Sequence, residues 1–273
     1  EIRLLVRSFE PVASADIAEA SDSHMKIRSQ SFRRAMKRAD EQRECFVFVH
    51  SHPEHVPHHS WQDDCQEREL FRTAYNRIHH NAVHASLVVS SPERPRGRVW
   101  LEDGSVVAMD VIRVIGRRFR FYRNGEVAEP TVEYFDRQVR AFGEANQQQL
   151  RMLCVGVVGL GGTGSAVAQQ LARMGVGKLI LSDGEDFDRT NVNRVYGSRI
   201  VDHDVAKVKI AERAIAEMGL GTTVVAIQRP VTFRSVLRDF RECDVIFGCT
   251  DEEWGRALLC SFATYYCIPV FDM

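Results

Sequence analysis

Residues Leu153 to Arg194, LCVGVVGLGGTGSAVAQQLARMGVGKLILSDGEDFDRTNVNR, leave a chain few ways to fold. Leu153 to Val158 is a short, β-branched apolar run, the pattern of a buried strand. Gly159, Gly161, Gly162 and Gly164 follow at once. Apolar spacing from about Thr163 to Met174 predicts a helix, and Gly175 stands where a helix-terminating glycine belongs. A second strand, Lys178 to Leu181, runs to Asp183, 19 residues after Gly164. Strand, glycine turn, helix, strand, acid is one mechanical unit. The glycines let backbone turn tightly against a phosphate, the helix start offers it free N–H groups, and the acid can hold a ribose hydroxyl.

That pattern fits any Rossmann-like nucleotide site, a dinucleotide-dependent oxidoreductase included. The residues that follow narrow it. Asn191 and Arg194 are three apart and share one face of a helical turn. Lys209 lies near the start of a helix that Asp204 is placed to cap, and Asp251 follows the strand Asp244 to Cys249. Loops at the carboxyl ends of parallel strands are where such sheets bind ligands. Hydride transfer has no use for extra Arg, Lys and Asp around phosphates; attack on a phosphate, with a metal, does.

The runs GLGGTG, SDGEDFDRTNVNR, DVAKVK and GCTD, preceded by YFDRQVRAFGEANQQQL, resemble the ThiF/MoeB/HesA family, prokaryotic relatives of ubiquitin-activating enzymes. The resemblance spans about Tyr134 to Met273. It implies ATP-dependent adenylation of the C-terminal glycine of a ubiquitin-like protein. It also implies these roles: the four glycines and Asp183 on ATP, Asn191 and Arg194 on phosphates, Lys209 at the reacting phosphate, Asp251 on magnesium. Arg137 is implied to reach the phosphates from a neighbouring subunit of a homodimer, and a conjugating enzyme or sulfur-carrier pathway protein is implied as a further partner. Ala206 stands where the family usually has Gly. The chain stops before the segment in which relatives carry a catalytic cysteine or zinc-binding cysteine pairs. Together with the opening at Glu1, that reads as a fragment of a longer protein.

A second constellation lies upstream. The strand Cys45 to Val49 runs into HSHPEHVPHHSWQDD. His50 and His52, two apart, project from one face of a strand, and Ser60 and Asp63 follow. Two imidazoles and a carboxylate suit a catalytic zinc, with the fourth position left to a water whose pKa the ion lowers to about 7. This spacing resembles the JAMM (Mov34/MPN-type) metallo-isopeptidases over roughly Glu1 to Gly125. The resemblance implies zinc on His50, His52 and Asp63, and Ser60 as a holder of the oxyanion. The family's base glutamate is expected before Ile2; Glu1 and Glu10 are weak substitutes. His55, His58 and His59 read as groove-lining. His80 and His84 read as exposed residues of a helical stretch, and the Arg33 to Arg43 face as a solvated surface.

The expected fold is therefore α/β: a smaller α+β zinc-hydrolase-like domain (1–125), a linker (126–133), and a mostly parallel sheet with helices on both faces (134–273). Strands are read at Ile2 to Val6, Ser86 to Ser90 and Val106 to Ile115, with Ser91 to Arg98 as a turn, and one helix at Tyr134 to Leu150. A net charge of −1 gives no general case for nucleic acid or an anionic membrane as partner. No apolar run is long enough to span a bilayer. The seven cysteines form no Cys-x-x-Cys pair and read as reduced core thiols, which suits the cytoplasm. Trp254, Tyr265 and Tyr266 are assigned to packing. The expected function couples adenylation of a ubiquitin-like protein to its zinc-dependent processing or deconjugation. The rivals are a dinucleotide-dependent oxidoreductase and a non-catalytic nucleotide- or zinc-binding module.

Overall fold

A computed structural model of the chain describes residues 3–21, 25–53, 56, 58–80, 83–91, 95–117, 119–123 and 132–273. The chain divides into two compact units, Glu1–Glu126 and Val127–Met273. The expected linker lies outside the described residues up to position 131.

The first unit runs β1 (Ile17–Ala20), β2 (Met25–Ile27), α1 (Ser29–Gln42), β3 (Val47–Ser51), α2 (Trp61–Arg77), β4 (His84–Val89), β5 (Pro95–Trp100), β6 (Val106–Ala108), β7 (Val111–Val114) and β8 (Arg120–Arg123). Its main sheet has the order β3-β4-β5-β6; β3 and β4 are parallel and the rest antiparallel. The pairs β1-β2 and β7-β8 form separate ribbons. The register sets Phe48, Ser86, Arg98 and Ala108 in one cross-strand row, with His50 and Val88 in the next row on the same face. On that face Phe46, Phe71, Ala74, Met36, Ala39, Ile78 and Trp100 form the core with α1 and α2.

Several expectations for this unit change. Arg3 to Val6 is not a strand, and Val6 is exposed. Pro95 to Arg98 is strand, not turn: Gly97 lets Met109 and Leu87 close over it, a Cβ there falling 2.4 Å from the Met109 sulfur. Val106 to Ile115 is two strands in different sheets. His84 begins β4 and is fully buried, and His80 follows the end of α2, so neither is an exposed helix residue. The basic face of α1 is partly tied down, Arg34 to Asp16, Arg38 to Glu10 and Lys37 to Glu41. Glu10 is thereby engaged as an ion-pair partner, and Glu1 lies outside the described residues.

The second unit runs α3 (Asp136–Phe142), α4 (Glu144–Met152), β9 (Cys154–Val158), α5 (Gly162–Arg173), β10 (Lys178–Ser182), α6 (Lys207–Met218), β11 (Thr223–Ile227), α7 (Arg234–Phe240), β12 (Val245–Gly248), α8 (Glu253–Tyr266) and β13 (Val270–Asp272). All five strands are parallel, in the order β11-β10-β9-β12-β13. Period-two alternation buries both faces: Val155, Val157, Leu179 and Leu181 meet α5 and α6, while Cys154, Val158, Ile180 and Ile246 meet α7 and α8. Gly156 is small because a Cβ there would lie 2.7 Å from the Phe240 ring.

The helix expected over Tyr134 to Leu150 is broken at Gly143, whose φ of 89° no α-helix accepts. Asp204 does not cap α6; it sits exposed at φ 64°, and Ala206 is the N-cap. Trp254 is 83% and Tyr265 70% exposed, so only Tyr266 of the three packs against the core. All seven cysteines are free, but only Cys154 and Cys243 are buried; Cys45, Cys65, Cys260 and Cys267 are exposed. Among the described residues no helix is long and apolar enough to cross a membrane.

Candidate functional sites

In the second unit, β9 lies between β10 and β12, so the chain leaves the sheet in opposite directions after β9 and β12 and opens a crevice at their carboxyl ends. The glycines fill distinct needs there. Gly159 has φ 83°, and a Cβ on it would stand 2.7 Å from Cys249 O. A Cβ on Gly164 would stand 1.8 Å from Gly159 O, so only glycine lets α5 start this close to the loop. Gly161, the N-cap of α5, makes no side-chain cap and has nothing near its Cβ position, which leaves the helix start open to an anion.

Asp183 is buried and braces this loop. Its Oδ2 accepts from Leu160 N at 2.6 Å and its Oδ1 from Glu185 N at 2.8 Å. Each oxygen keeps a lone pair for a ligand hydroxyl. Asn191 and Arg194 hold each other, Arg194 Nη2 donating to Asn191 Oδ1 at 2.8 Å, and the Arg194 side chain lies over Gly162. Tyr196 N donates to Ser165 Oγ and binds this segment along the start of α5. Residues 185–187 run beside 204–207 through Phe187 N to Val205 O and Lys207 N to Glu185 O. That ladder sets the first turn of α6 next to the Asp183 turn. There the two lysines separate: Lys207 is buried on Glu185, whereas Lys209 is exposed and shared with Glu212. Asp251 is exposed, two residues beyond the Cys249 carbonyl that abuts Gly159.

Arg137 is not brought to this cluster. Its neighbour Gln138 donates to Arg173 O, and Phe135 and Gln147 pack on Gly175, all at the far end of α5. Twelve residues of helix separate that end from the glycine loop by about 18 Å.

In the first unit, His50, His52 and Asp63 are the described residues whose donor atoms converge as a metal-ligand group. His50 Nε2 lies 3.1 Å from His52 Nε2 and 3.1 Å from Asp63 Oδ1, and His52 Nε2 lies 3.2 Å from Asp63 Oδ2. Ligands about 2.0–2.1 Å from a tetrahedral ion stand about 3.3 Å apart, so the triangle fits zinc. His52 Nδ1 bonds His58 O at 3.1 Å, which places the proton on Nδ1 and turns the Nε2 lone pair to the other ligands. Burial holds His50 below its ordinary pKa against the opposing charges of Asp63 and Glu67, so its ring is neutral at pH 7. Burial would raise the Asp63 pKa, but Ser60's hydroxyl and N–H and the two imidazoles outweigh it and keep the carboxyl ionised. His59 sits behind, 3.3 Å from Ser86 Oγ, pushed down to about 4 by burial and then by Arg98. His58 is exposed, and His55 lies outside the described residues.

Ser60 is the N-cap of α2. Its Oγ accepts from Asp63 N, and Asp63 Oδ2 takes both the Ser60 N–H and its hydroxyl proton, at 2.5 and 2.7 Å. The sequence offered Ser-x-x-Asp as chemistry; locally it is also a capping box. Two groups were not foreseen, the Lys207–Glu185 pair and a buried Glu67 on α2, four residues after Asp63. The i,i+4 spacing of the acids Asp63 and Glu67 is the signal that marks the second.

Comparisons with known proteins follow the two units. The model of the ThiF family matches residues 135–273, and the model of prokaryotic homologs of the JAB domain matches 4–102. A tRNA threonylcarbamoyladenosine dehydratase of Bacillus subtilis (strain 168) is 36% identical over 94 residues, 34% of this chain and 37% of the relative. The sulfur carrier protein ThiS adenylyltransferase of Escherichia coli (strain K12) is 30% identical over 105 residues, 38% of this chain and 42% of the relative. The crystal structure of E. coli TcdA, a tRNA N6-threonylcarbamoyladenosine dehydratase, is 25% identical with a TM-score of 0.48, over 51% of this chain and 59% of that one. The chain thus spans about two fifths of the length of these curated relatives.

Proposed function

We propose that this chain, which belongs to the ThiF family, activates the C-terminal carboxylate of a ubiquitin-like protein with ATP, and that its first unit is a zinc hydrolase for the same class of partner. The observation that carries the first part is the open glycine cradle with Arg194 laid across it and Asp251 at its rim. A carboxylate oxygen attacks the α-phosphorus, the bond to the pyrophosphate bridging oxygen breaks, and acyl-adenylate and pyrophosphate result. Charge builds on the phosphate oxygens, and Arg194 and Lys209 offset it. Asp183 holds the ribose, and Asn191 keeps Arg194 aimed. Asp251 would hold magnesium, which takes one or two carboxylates and otherwise phosphates and water, and supplies further charge neutralisation.

Arg137 supplies its cation to the site of a second copy, because about 18 Å of helix keeps it from its own. The relatives' names divide between a tRNA nucleoside and a sulfur carrier protein as what is acted on. The JAB-like unit in the same chain favours a protein partner here. A conjugating enzyme or sulfur-carrier pathway protein would receive the activated product, and seven free thiols fit a reducing cytoplasm.

In the first unit His50, His52 and Asp63 would hold zinc, which supplies Lewis-acid activation of water. His58 O fixes His52, and Ser60 keeps Asp63 ionised.

The test is ATP–pyrophosphate exchange with a ubiquitin-like protein ending in glycine, with a modified tRNA as the competing arm. Asp251→Ala and Arg137→Ala should each abolish exchange. Mixed and allowed to exchange subunits, the two should regain activity, since one site in each heterodimer has both groups. Exchange driven only by tRNA moves the substrate class. Tight NAD binding without ATP binding restores the oxidoreductase reading. Verified heterodimers that stay inactive rule out a borrowed Arg137.

A further inference from the structure

Glu67 is 1% exposed, a carboxylate wholly inside the first unit. It lies one turn beyond Asp63 on α2, so both acids face the sheet surface that carries His50. Below it runs the cross-strand row Phe48, Ser86, Arg98. Ser86 Oγ donates to Glu67 Oε2; Arg98 Nε and Trp100 Nε1 donate to it at 3.0 Å each, and Arg98 Nη2 stands 2.9 Å from the same oxygen. The Arg98 Nη1 turns away to Asp64.

Every donor has gone to one oxygen. Among the described residues, Glu67 Oε1 is buried with no hydrogen-bond partner. So is His50 Nδ1, whose ring stacks at 5.1 Å on Phe48 of that row, two residues back along the strand. No hydrogen bond joins them here, yet one is an acceptor and the other, once protonated, a donor. With Nε2 of His50 committed to the ligand triangle, its proton belongs on Nδ1 and needs an acceptor. Metal-ligating histidines are ordinarily oriented and strengthened by a carboxylate, a backbone carbonyl or a water on the other nitrogen.

We propose that Glu67 is a positioning residue for the metal site, its free oxygen and its charge orienting His50 and strengthening it as a donor, with Arg98 as the brake on that charge. This rests on the zinc reading above. It makes two neighbours in one ion pair act in opposite directions on the site.

The experiment is zinc affinity of the whole chain, by competition with a chromophoric chelator, with thermal unfolding measured alongside. Glu67→Gln keeps an acceptor for Ser86, Arg98 and Trp100 and removes the charge; zinc should bind about 10- to 100-fold more weakly. Arg98→Gln leaves Glu67's charge unopposed, and zinc should bind at least as tightly as to wild type. The double variant removes both buried charges; its melting should recover toward wild type while zinc affinity stays low. It carries the test if Glu67→Gln alone does not fold. Equal weakening by both single variants, or wild-type affinity in Glu67→Gln or in the double variant, overturns the proposal. A wild-type chain that takes up no zinc, or keeps it after His50→Ala with His52→Ala, defeats the zinc reading and this inference together. Stoichiometric zinc with an indifferent Glu67 defeats this inference alone.

Discussion

The glycine-loop edge of the second unit is built mostly of main chain, whereas the histidine site of the first is built of side chains buried against one another. At the loop, shape comes from four glycines and an uncapped helix start, and the charged groups Arg194, Lys209 and Asp251 stand exposed around it. At the histidine site, Asp63 is shared by two imidazoles and a serine, Glu67 by Ser86, Arg98 and Trp100, and orphaned nitrogens remain. A main-chain site is broken by adding atoms to its backbone and is indifferent to mild acid. A side-chain site tolerates backbone change and fails when a proton is added. The two units should therefore respond to different insults.

The largest effect is expected at Gly164. Ala is the better helix former by about 1 kcal/mol, so propensity alone predicts that Gly164→Ala stabilises α5. Sterics predict the reverse, because the new methyl would stand 1.8 Å from a carbonyl oxygen that cannot swing aside as a side chain could. Sterics should win by about 3–5 kcal/mol. Calorimetry should show the second unit's transition lowered or lost and the first unit's unmoved. Gly161→Ala, with open space at the Cβ position, should leave melting nearly unchanged. A Gly164→Ala chain that melts like wild type would mean that helix and loop are not locked together as described.

The same contrast explains what could be read from sequence. Buried parallel strands are near-continuous apolar runs, so β9, β10 and β12 stood out. The glycine loop stood out because its constraints are main-chain ones that only glycine meets. Asp63, by contrast, was legible by type but not by element. The helix that carries it, WQDDCQERELFRTAYNR, buries only Glu67, Phe71 and Ala74, so its apolar stripe is thin and interrupted by an acid. β5 hid for a similar reason: Pro95, Gly97 and two arginines read as a turn until Met109 and Leu87 cover Gly97 and Glu67 takes Arg98. Exposure of Trp254 and of four cysteines was invisible to periodicity, which finds the element but not what covers it.

A smaller effect is expected from acid, and only in the first unit. Nine of the ten histidines lie there. His84 is fully buried, accepts from Phe46 N at 3.2 Å through Nδ1, and is pushed down to about 4 by burial and then by His80. A folded-state value below the unfolded one means that the unfolded chain takes the proton first. The stabilisation is complete above about pH 6.5 and is withdrawn as pH falls toward 4. In zinc-free protein the first unit should lose about 2 kcal/mol from this residue over that range, and His84→Gln should flatten the slope. Equal acid sensitivity of the two units would remove the contrast.

The smallest effect on stability sharpens the contrast most, because at Ser60 a helix cap and the support of a carboxylate share one atom. Ser60 Oγ accepts from Asp63 N at 3.2 Å as a helix cap and donates to Asp63 Oδ2 at 2.7 Å as a carboxylate's support. Removing a cap of this kind costs about 1 kcal/mol, so Ser60→Ala should lower the first unit's stability by that much. Asn caps as well as Ser but has no hydroxyl, so Ser60→Asn should restore melting to within a few tenths of a kcal/mol. Turnover of a ubiquitin-like fusion separates the roles. If the hydroxyl also serves the oxyanion, both variants should be slower by about 10²-fold or more while zinc content stays unchanged. Wild-type turnover in Ser60→Asn would reduce Ser-x-x-Asp to a capping box. A Ser60→Ala chain that melts like wild type but turns over slowly would instead leave the capping bonds without energetic weight and the hydroxyl with a purely chemical role.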